Sequence, residues 1–373
     1  MNQALPAGIH TLADHAAHAH QRLDLATLAH IDGGSADEVT LRANAQAWQA
    51  IGLMPRVLRD MGAAHTRTEL LGRTWEHPIF IAPMAHHCLA HPQGEQATAV
   101  AAAALGAGLV LSTQSSTALE TVARLVLTDP GRGALWFQLY AQRDRSQTLE
   151  LVQRAEAAGF EALVLTVDVP VQAPRDRERR AGFRLPTHIH SVNLRKSSSP
   201  TGPQAPQGQS ALFQQHLGHA PTWHDIGWLR GQTRLPILLK GICHPDDARE
   251  ARRQGCAAVI VSNHGGRALD STPPTAHLLP RVADALQGDL PLLVDGGIRR
   301  GTDVLKAVAL GASAVGVGRP ILHALANAGA VGVAHALRVL RDELEIAMAL
   351  TGCSTLSAAH EVLVHTPNHI ASV

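Results

Sequence analysis

Eight short apolar runs, at residues 78–82, 109–111, 135–139, 162–167, 236–239, 258–261, 291–294 and 314–317, each close on polar residues or glycine and each lead into a helix-like stretch. The amphipathic stretches at 95–105, 146–158, 245–254 and 302–310 end at Gly106, Gly159, Gly255 and Gly311, where a glycine stops a helix. Runs this brief and this continuously apolar suit parallel strands covered by helices. Composition agrees: 45% of the chain is hydrophobic but only 3% is aromatic, so the interior must come from Ala, Val, Leu and Ile. Eight strand-helix units predict an α/β fold of the TIM (β/α)8 class. A doubly wound sheet would also alternate, but it does not call for eight units, and it would more naturally place a GxGxxG turn after its first strand.

The expected organisation is one domain over residues 1–373: a cap segment (1–78), the barrel (79–350) and a C-terminal tail (351–373). The cap is helical and irregular, with Asp32-Gly33-Gly34-Ser35 and a strand-like pair around 66–74. The connection from the fourth run to the fifth is much longer than a usual loop, and its stretch 197–208 is rich in Ser, Pro, Gly and Gln. Such a composition buries too little apolar surface to order itself, so residues 184–222 read as a mobile lid over the catalytic face. A passive insertion stays open for its centre.

Several function classes drop out. A formal charge of +1 offers no general attraction to nucleic acid or an anionic membrane, so any anion binding must be local. Cys88, Cys243, Cys256 and Cys353 are far apart, with no CxxC pair to indicate zinc or a disulfide framework. Residues 1–6 lack a basic segment followed by an apolar core, and nowhere do 18 apolar residues run unbroken, so a cytoplasmic protein is expected. Although there are 23 histidines, including His86-His87 and the group His10, His15, His18 and His20, no HxxxH pair arrives with a nearby acidic ligand. No metal is expected.

The ends of the runs carry the chemistry, as in a barrel whose active site lies at the C-terminal face. After the sixth run come Ser262-Asn263-His264-Gly265-Gly266-Arg267, a base and a cation separated by two glycines that let the backbone turn tightly. They suit a substrate that loses a proton and carries a carboxylate. The other run ends offer Ala82, Pro83, Met84 and Ala85, then Ser112, then Gln138 and Tyr140, then Thr166 and Asp168, then Lys240. After the seventh and eighth runs stand Asp295-Gly296-Gly297-Ile298-Arg299 and Gly318-Arg319, where this fold usually binds phosphate. Lys240 near that pocket can place positive charge beside the electron-accepting ring of a flavin. A Schiff-base lysine is the alternative.

Taken together, these motifs resemble the FMN-dependent α-hydroxy acid oxidases and dehydrogenases over about residues 10–365. The carrying segments are Ser262–Arg267, Phe137-Gln138-Leu139-Tyr140, Leu165-Thr166-Val167-Asp168-Val169-Pro170, Leu239-Lys240-Gly241, Asp295 to Asp303, and Gly318-Arg319-Pro320. The resemblance implies FMN as cofactor and oxidation of a 2-hydroxy acid to the 2-oxo acid. It implies His264 as base, Asp168 as the carboxylate that orients it, and Tyr140 on the reacting oxygen or the carboxylate. Arg267 and Arg175 would hold a substrate carboxylate. Ala82, Pro83, Met84, Ser112, Gln138, Thr166 and Lys240 would contact the flavin ring, with Ser262 beside the ribityl chain. Asp295, Gly296, Gly297, Arg299, Gly318 and Arg319 would hold the ribityl hydroxyls and phosphate. A homotetramer is implied in the same way.

The departures from the family pattern face the substrate. His30 stands where many members carry a substrate-binding tyrosine, Ala268 replaces the usual glutamine, Gln114 replaces an aromatic, and Met84-Ala85-His86-His87 is atypical. Three readings follow: a 2-hydroxy acid oxidase for a medium or aromatic acid, a diverged member acting on a larger amine, peptide or natural product, and a flavin-binding protein without turnover. Retention of His264, Asp168, Lys240 and Arg267 together opposes the last.

Overall fold

The computed structural model describes residues 4–195, 210, 212, 213, 217, 220–362, 364 and 365. The cap contributes α1 (Leu12–Arg22), α2 (Leu25–Asp32), α3 (Val39–Ala50), β1 (Gly52–Leu53) and a hairpin of β2 (Thr68–Leu70) and β3 (Arg73–Trp75). Each of the first two helices starts on a side-chain cap, Thr11 on Asp14 N and Asp24 on Thr27 N, which satisfies a donor the helix cannot use.

Eight parallel strands follow: β4 (Ile79–Ile81), β5 (Gly108–Ser112), β6 (Leu135–Leu139), β7 (Ala162–Thr166), β8 (Ile237–Ile242), β9 (Ala258–Val261), β10 (Leu292–Asp295) and β11 (Ala314–Val317). They close on themselves through the β11–β4 pair, as eight strand-helix units require. The helices after them are α4 (Gly94–Ala104), α5 (Leu119–Val126), α6 (Arg145–Ala157), α7 (Asp176–Arg180), α8 (Trp223–Arg230), α9 (Pro245–Arg253), α10 (Thr275–Leu286), α11 (Gly301–Ala309) and α12 (Arg319–Thr351). A kink divides α12 into two helical pieces at Ala328 (φ −153°, ψ 29°) and Gly329 (φ 55°, ψ −134°). Taken whole, α12 is long and apolar enough to cross a membrane, yet 78% of its most apolar stretch is buried against the rest of the protein.

The preface works at both ends of the barrel. Inside, Phe80, Val110, Trp136, Val164, Leu238, Ile260 and Leu293 meet Leu70 and Trp75 of the hairpin in one cluster. Trp75 stacks obliquely on Trp136, centroids 5.4 Å apart, so the hairpin stoppers the mouth where the strands begin. Trp75→Ala should open a cavity there and cost about 3–5 kcal/mol, read as a lower denaturation midpoint. A loss under about 1 kcal/mol would mean the hairpin is not part of the barrel core. Helices α2 and α3 sit at the opposite end: Trp48 Nε1 donates to Gly296 O (2.8 Å), and Asn44 and Asn263 exchange amide hydrogen bonds (2.8 and 2.9 Å).

The tail is part of the packing. Cys353, Leu356 and Ala359 are buried, and β12 (Val364–His365) pairs antiparallel with β1. Most of the expected lid, residues 196–209 with 211, 214–216, 218 and 219, lies outside the described residues. Its first stretch is anchored: Asn193 Oδ1 accepts from Leu119 N (3.0 Å), and Asn193 Nδ2 donates to Ser115 Oγ (2.8 Å). Within the expected lid of residues 184–222, these bonds hold Asn193 against the barrel.

Candidate active site

The loop after β9 enters the left-handed region three times in a row, at His264 (φ 58°), Gly265 (φ 60°) and Gly266 (φ 78°). A Cβ on Gly266 would lie 2.6 Å from the Leu41 backbone, and one on Gly265 would lie 2.9 Å from an Arg319 nitrogen. Glycine is required on both counts. Holding a histidine in this sparsely populated conformation costs about 1–3 kcal/mol, a strain that gathers at functional sites. The turn carries the imidazole to Asp168, with Nδ1 3.0 Å from Oδ1. Asp168 follows β7, and Gly241 of β8 makes room for it: a Cβ there would lie 2.5 Å from the Asp168 Cβ.

Behind this pair lies a buried polar chain. Lys240 Nζ donates to Ser262 Oγ (3.0 Å) and pairs with Asp295 Oδ2 (3.1 Å), while Ser262 Oγ donates to Asp295 Oδ1 (2.6 Å) and accepts from His264 N (3.0 Å). Burial pulls the Lys240 ammonium downward, but Asp295 and Asp168 outweigh it and hold its pKa above the ordinary value. For Asp168, burial acts to raise the pKa, and His264 and Lys240 reverse it to a net lowering, so the carboxylate is ionised. Burial holds the Tyr140 phenol above its usual range, so it keeps its proton. The charged Lys240 argues against an amine poised for Schiff-base chemistry, which needs the neutral form.

A cavity of about 510 Å³ opens at this end of the barrel. It is lined by His264, Tyr140, Arg267, Arg175 and His30, and by every expected cofactor residue except Ser262: Ala82, Pro83, Met84, Ser112, Gln138, Thr166, Lys240, Asp295, Gly296, Gly297, Arg299, Gly318 and Arg319. Ser262 is fully buried behind the wall, its hydroxyl consumed by Lys240, Asp295 and His264. That hydroxyl joins Lys240 and Asp295 to the backbone of His264.

Four arginines converge on the cavity. Arg319 donates to the carbonyls of Ile31 (3.1 Å), Gly265 (2.9 Å) and Gly33 (3.0 Å), so three of a guanidinium's five N–H groups are used and two are left. Burial first, then repulsion from Arg267 and Arg299, brings its pKa down to about 9. Burial and Arg267 likewise lower Arg175 to about 10. Cations pressed together in this way call for anions. Arg267 donates to His30 O (2.7 Å), Gly33 O (2.7 Å) and Glu178 Oε1 (3.2 Å). Arg175 Nη1 is buried without a partner. His30 stacks on Phe183 at 4.3 Å, its Nδ1 3.4 Å from Glu178 Oε2 but not aligned as a hydrogen bond.

Sequence reasoning missed Glu178 and Asn263. Glu178 lies on α7, three residues past Arg175 at the N-cap of that helix, and its Oε1 is 4.0 Å from Arg175 Nε, a spacing that was legible once Arg175 was chosen. With Arg175 and Arg267 it leaves a charge of 2 − 1 = +1, matching one carboxylate. Asn263 Oδ1 accepts from Gly266 N (3.2 Å) as well as from Asn44 of α3, which ties the His264 turn to that helix.

The donor set suits FMN. Gln138 Nε2 and Thr166 Oγ1 on the cavity wall are buried without partners, a state normally relieved by a polar ligand. Glycines and arginines after β10 and β11 line the same cavity, at the strand ends where this fold usually binds phosphate. Fold and site together define a flavin-binding barrel oxidoreductase. The comparisons agree: the family model for FMN-dependent dehydrogenase matches residues 19–366, and the chain belongs to that family, with FMN as its cofactor. It is 46% identical over 360 residues to the L-lactate oxidase of Alicycliphilus denitrificans, covering 96% of this chain and 97% of that one. Glycolate oxidase 1 of Zea mays is 42% identical over 350 residues, 94% of each chain. A crystal structure of mandelate oxidase with (S)-2-phenylpropionate superposes with a TM-score of 0.85 at 40% identity, covering 95% of this chain and 98% of the other.

Proposed function

We propose that this enzyme oxidises a 2-hydroxy acid to the 2-oxo acid, with His264 as the base. The observation that carries the reading is the His264–Asp168 contact of 3.0 Å on the wall of a cavity that also holds two arginines and an ionised carboxylate, together of net charge +1. FMN, when bound, accepts the two electrons of the oxidation. Arg175, through its unpartnered Nη1, and Arg267, through the two donors it has left, hold the substrate carboxylate. Tyr140, kept protonated, donates a hydrogen bond to the reacting oxygen or the carboxylate. His264 takes the proton, and Asp168 holds its ring and balances the charge that forms.

The remaining residues hold the cofactor. Ala82, Pro83, Met84, Ser112, Gln138 and Thr166 face the ring, and Lys240 lends positive charge to its edge. Asp295, Gly296, Gly297, Arg299, Gly318 and Arg319 take the ribityl hydroxyls and the phosphate. A homotetramer, on the strength of the family resemblance, and a cytoplasmic location, in keeping with four free cysteines, complete the proposal; the mass in solution tests the assembly.

The cavity also bears on the acid used. About 510 Å³ for cofactor and substrate together is an ordinary small-molecule volume, which favours a compact acid over a peptide or natural product. Beyond the clamp, the wall mixes Leu89, Ala90, Ala141 and Val169 with His30, His86, Gln114 and Gln172. Such a wall suits a side chain with an apolar body and a hydrogen-bonding tip. Under nitrogen, 4-hydroxymandelate should bleach the bound flavin faster than mandelate, and glycerate faster than lactate, by about tenfold or more. Equal or reversed rates would sink the assignment of the tip. No bleaching by any 2-hydroxy acid would sink the function itself.

A further inference from the structure

Away from the cavity, three cap and barrel helices bring one carboxylate between two imidazoles. His20 lies in the last turn of α1, Asp32 ends α2, and His323 lies one turn beyond Arg319 on α12. His20 Nε2 is 2.6 Å from Asp32 Oδ2, and His323 Nε2 is 2.7 Å from Asp32 Oδ1. The two rings meet edge to face at 89° with centroids 5.8 Å apart, and one ligand atom from each residue lies within 4.8 Å of the other two. The site is graded in depth: the side chains of His323, Asp32 and His20 are 8%, 17% and 52% exposed.

We propose that His20, Asp32 and His323 bind a divalent transition-metal ion of the zinc type. Two imidazole nitrogens and one carboxylate oxygen are a borderline-soft donor set, which suits Zn²⁺ and not Ca²⁺ or Mg²⁺. Three protein ligands leave a fourth position, and an open groove of about 680 Å³, lined by His20, Asp32, Leu25 and Arg180 among others, gives an entry path and space for a water there. Bond lengths of about 2.0–2.2 Å require the nitrogens to draw in around the ion. Each Nε2 gives up its proton, to its own Nδ1 or to solvent, and the two N–H···O hydrogen bonds give way to metal bonds. The carboxylate needs no deprotonation: burial acts to raise its pKa, but His323 and His20 hold it down at about 2.

The site has a structural consequence that a surface trio would lack. Asp32 lies between Ile31 and Gly33, whose carbonyls receive Arg319 and Arg267. A metal joining α1 and α2 to α12 would therefore fix the cap against the two arginines that face the cofactor and substrate. The sequence reading sought ligands at regular spacing within one helix. These three come from separate helices, and His20 and His323 stand 303 positions apart in the chain.

The test uses untagged holoenzyme stripped with a chelator, then titrated with Zn²⁺ by calorimetry and by melting temperature. One saturable site per chain in the micromolar range or tighter is expected, with a higher melting temperature. His20→Ala and His323→Ala should each weaken it by tenfold or more, and His18→Ala should not. His20 is half exposed, so its variant should fold and keep FMN, which the visible spectrum reports. Absence of a saturable site, or affinity unchanged in both variants, overturns the proposal. Variants that melt lower without metal, in a protein that binds no Zn²⁺, would show a hydrogen-bonded bridge instead and overturn it equally. None of these readouts depends on the substrate.

Discussion

His264→Gln is expected to retain FMN and to lose about a hundred- to ten-thousand-fold in the rate of flavin reduction. Retention follows from position. The residues proposed to hold the cofactor are supported by the Lys240–Ser262–Asp295 chain, by the carbonyls that grip Arg319, and by the Trp48 bond to Gly296. None of these bonds uses the imidazole. The turn itself is held by backbone and by Asn263, so glutamine inherits its place without loosening the loop. What goes is a base at the one point where the strained φ of 58° delivers it. Anaerobic stopped-flow spectra separate the outcomes: a yellow protein bleached slowly supports the assignment, and wild-type bleaching removes His264 from the chemistry.

How much of this was legible beforehand differs by element. All eight barrel strands were visible as apolar runs, because a strand buried on both faces has no polar alternation to blur it. Helix ends were readable to within a residue or two: 146–158 was expected and Arg145–Ala157 is found. The cavity residues were legible because a barrel gathers its strand ends on one face, so position along a strand predicts position in space. A strand end fixes where a residue emerges but not what its side chain meets, so the bonds of Ser262 to Lys240 and Asp295 were not legible in the same way. The division of the preface was hidden for another reason. Nothing in residues 66–75 states that Trp75 fills the barrel mouth, since its partner Trp136 is far along the chain and meets it only once the barrel closes. The Asn44–Asn263 pair and the trio of His20, Asp32 and His323 are invisible in the same way, as contacts between segments with no shared periodicity.

Asp168→Asn should lose about a hundred- to ten-thousand-fold in flavin reduction while keeping the fold and the cofactor, the behaviour expected when a buried carboxylate supports a catalytic imidazole. The swap is nearly isosteric, so the tight seat against Gly241, where even a methyl group would come within 2.5 Å, is not disturbed. Lys240 keeps Asp295 at 3.1 Å and remains a paired cation, so its support of the ring edge survives. Two things change at the base. An amide offers no negative charge to the imidazolium that forms as the proton moves, and its NH2 group can turn toward Nδ1 and favour the wrong tautomer. Asp168 Oδ2 is buried without a hydrogen-bond partner, so no second hydrogen bond spreads the charge that faces the imidazole, and Lys240 acts on it only through space. A structural role alone would lower the melting temperature and leave the rate of flavin reduction in the folded fraction intact. Loss of rate at unchanged flavin content and unchanged melting is the signature of the electrostatic role; a variant that reduces its flavin at the wild-type rate would show that His264 needs no counter-charge.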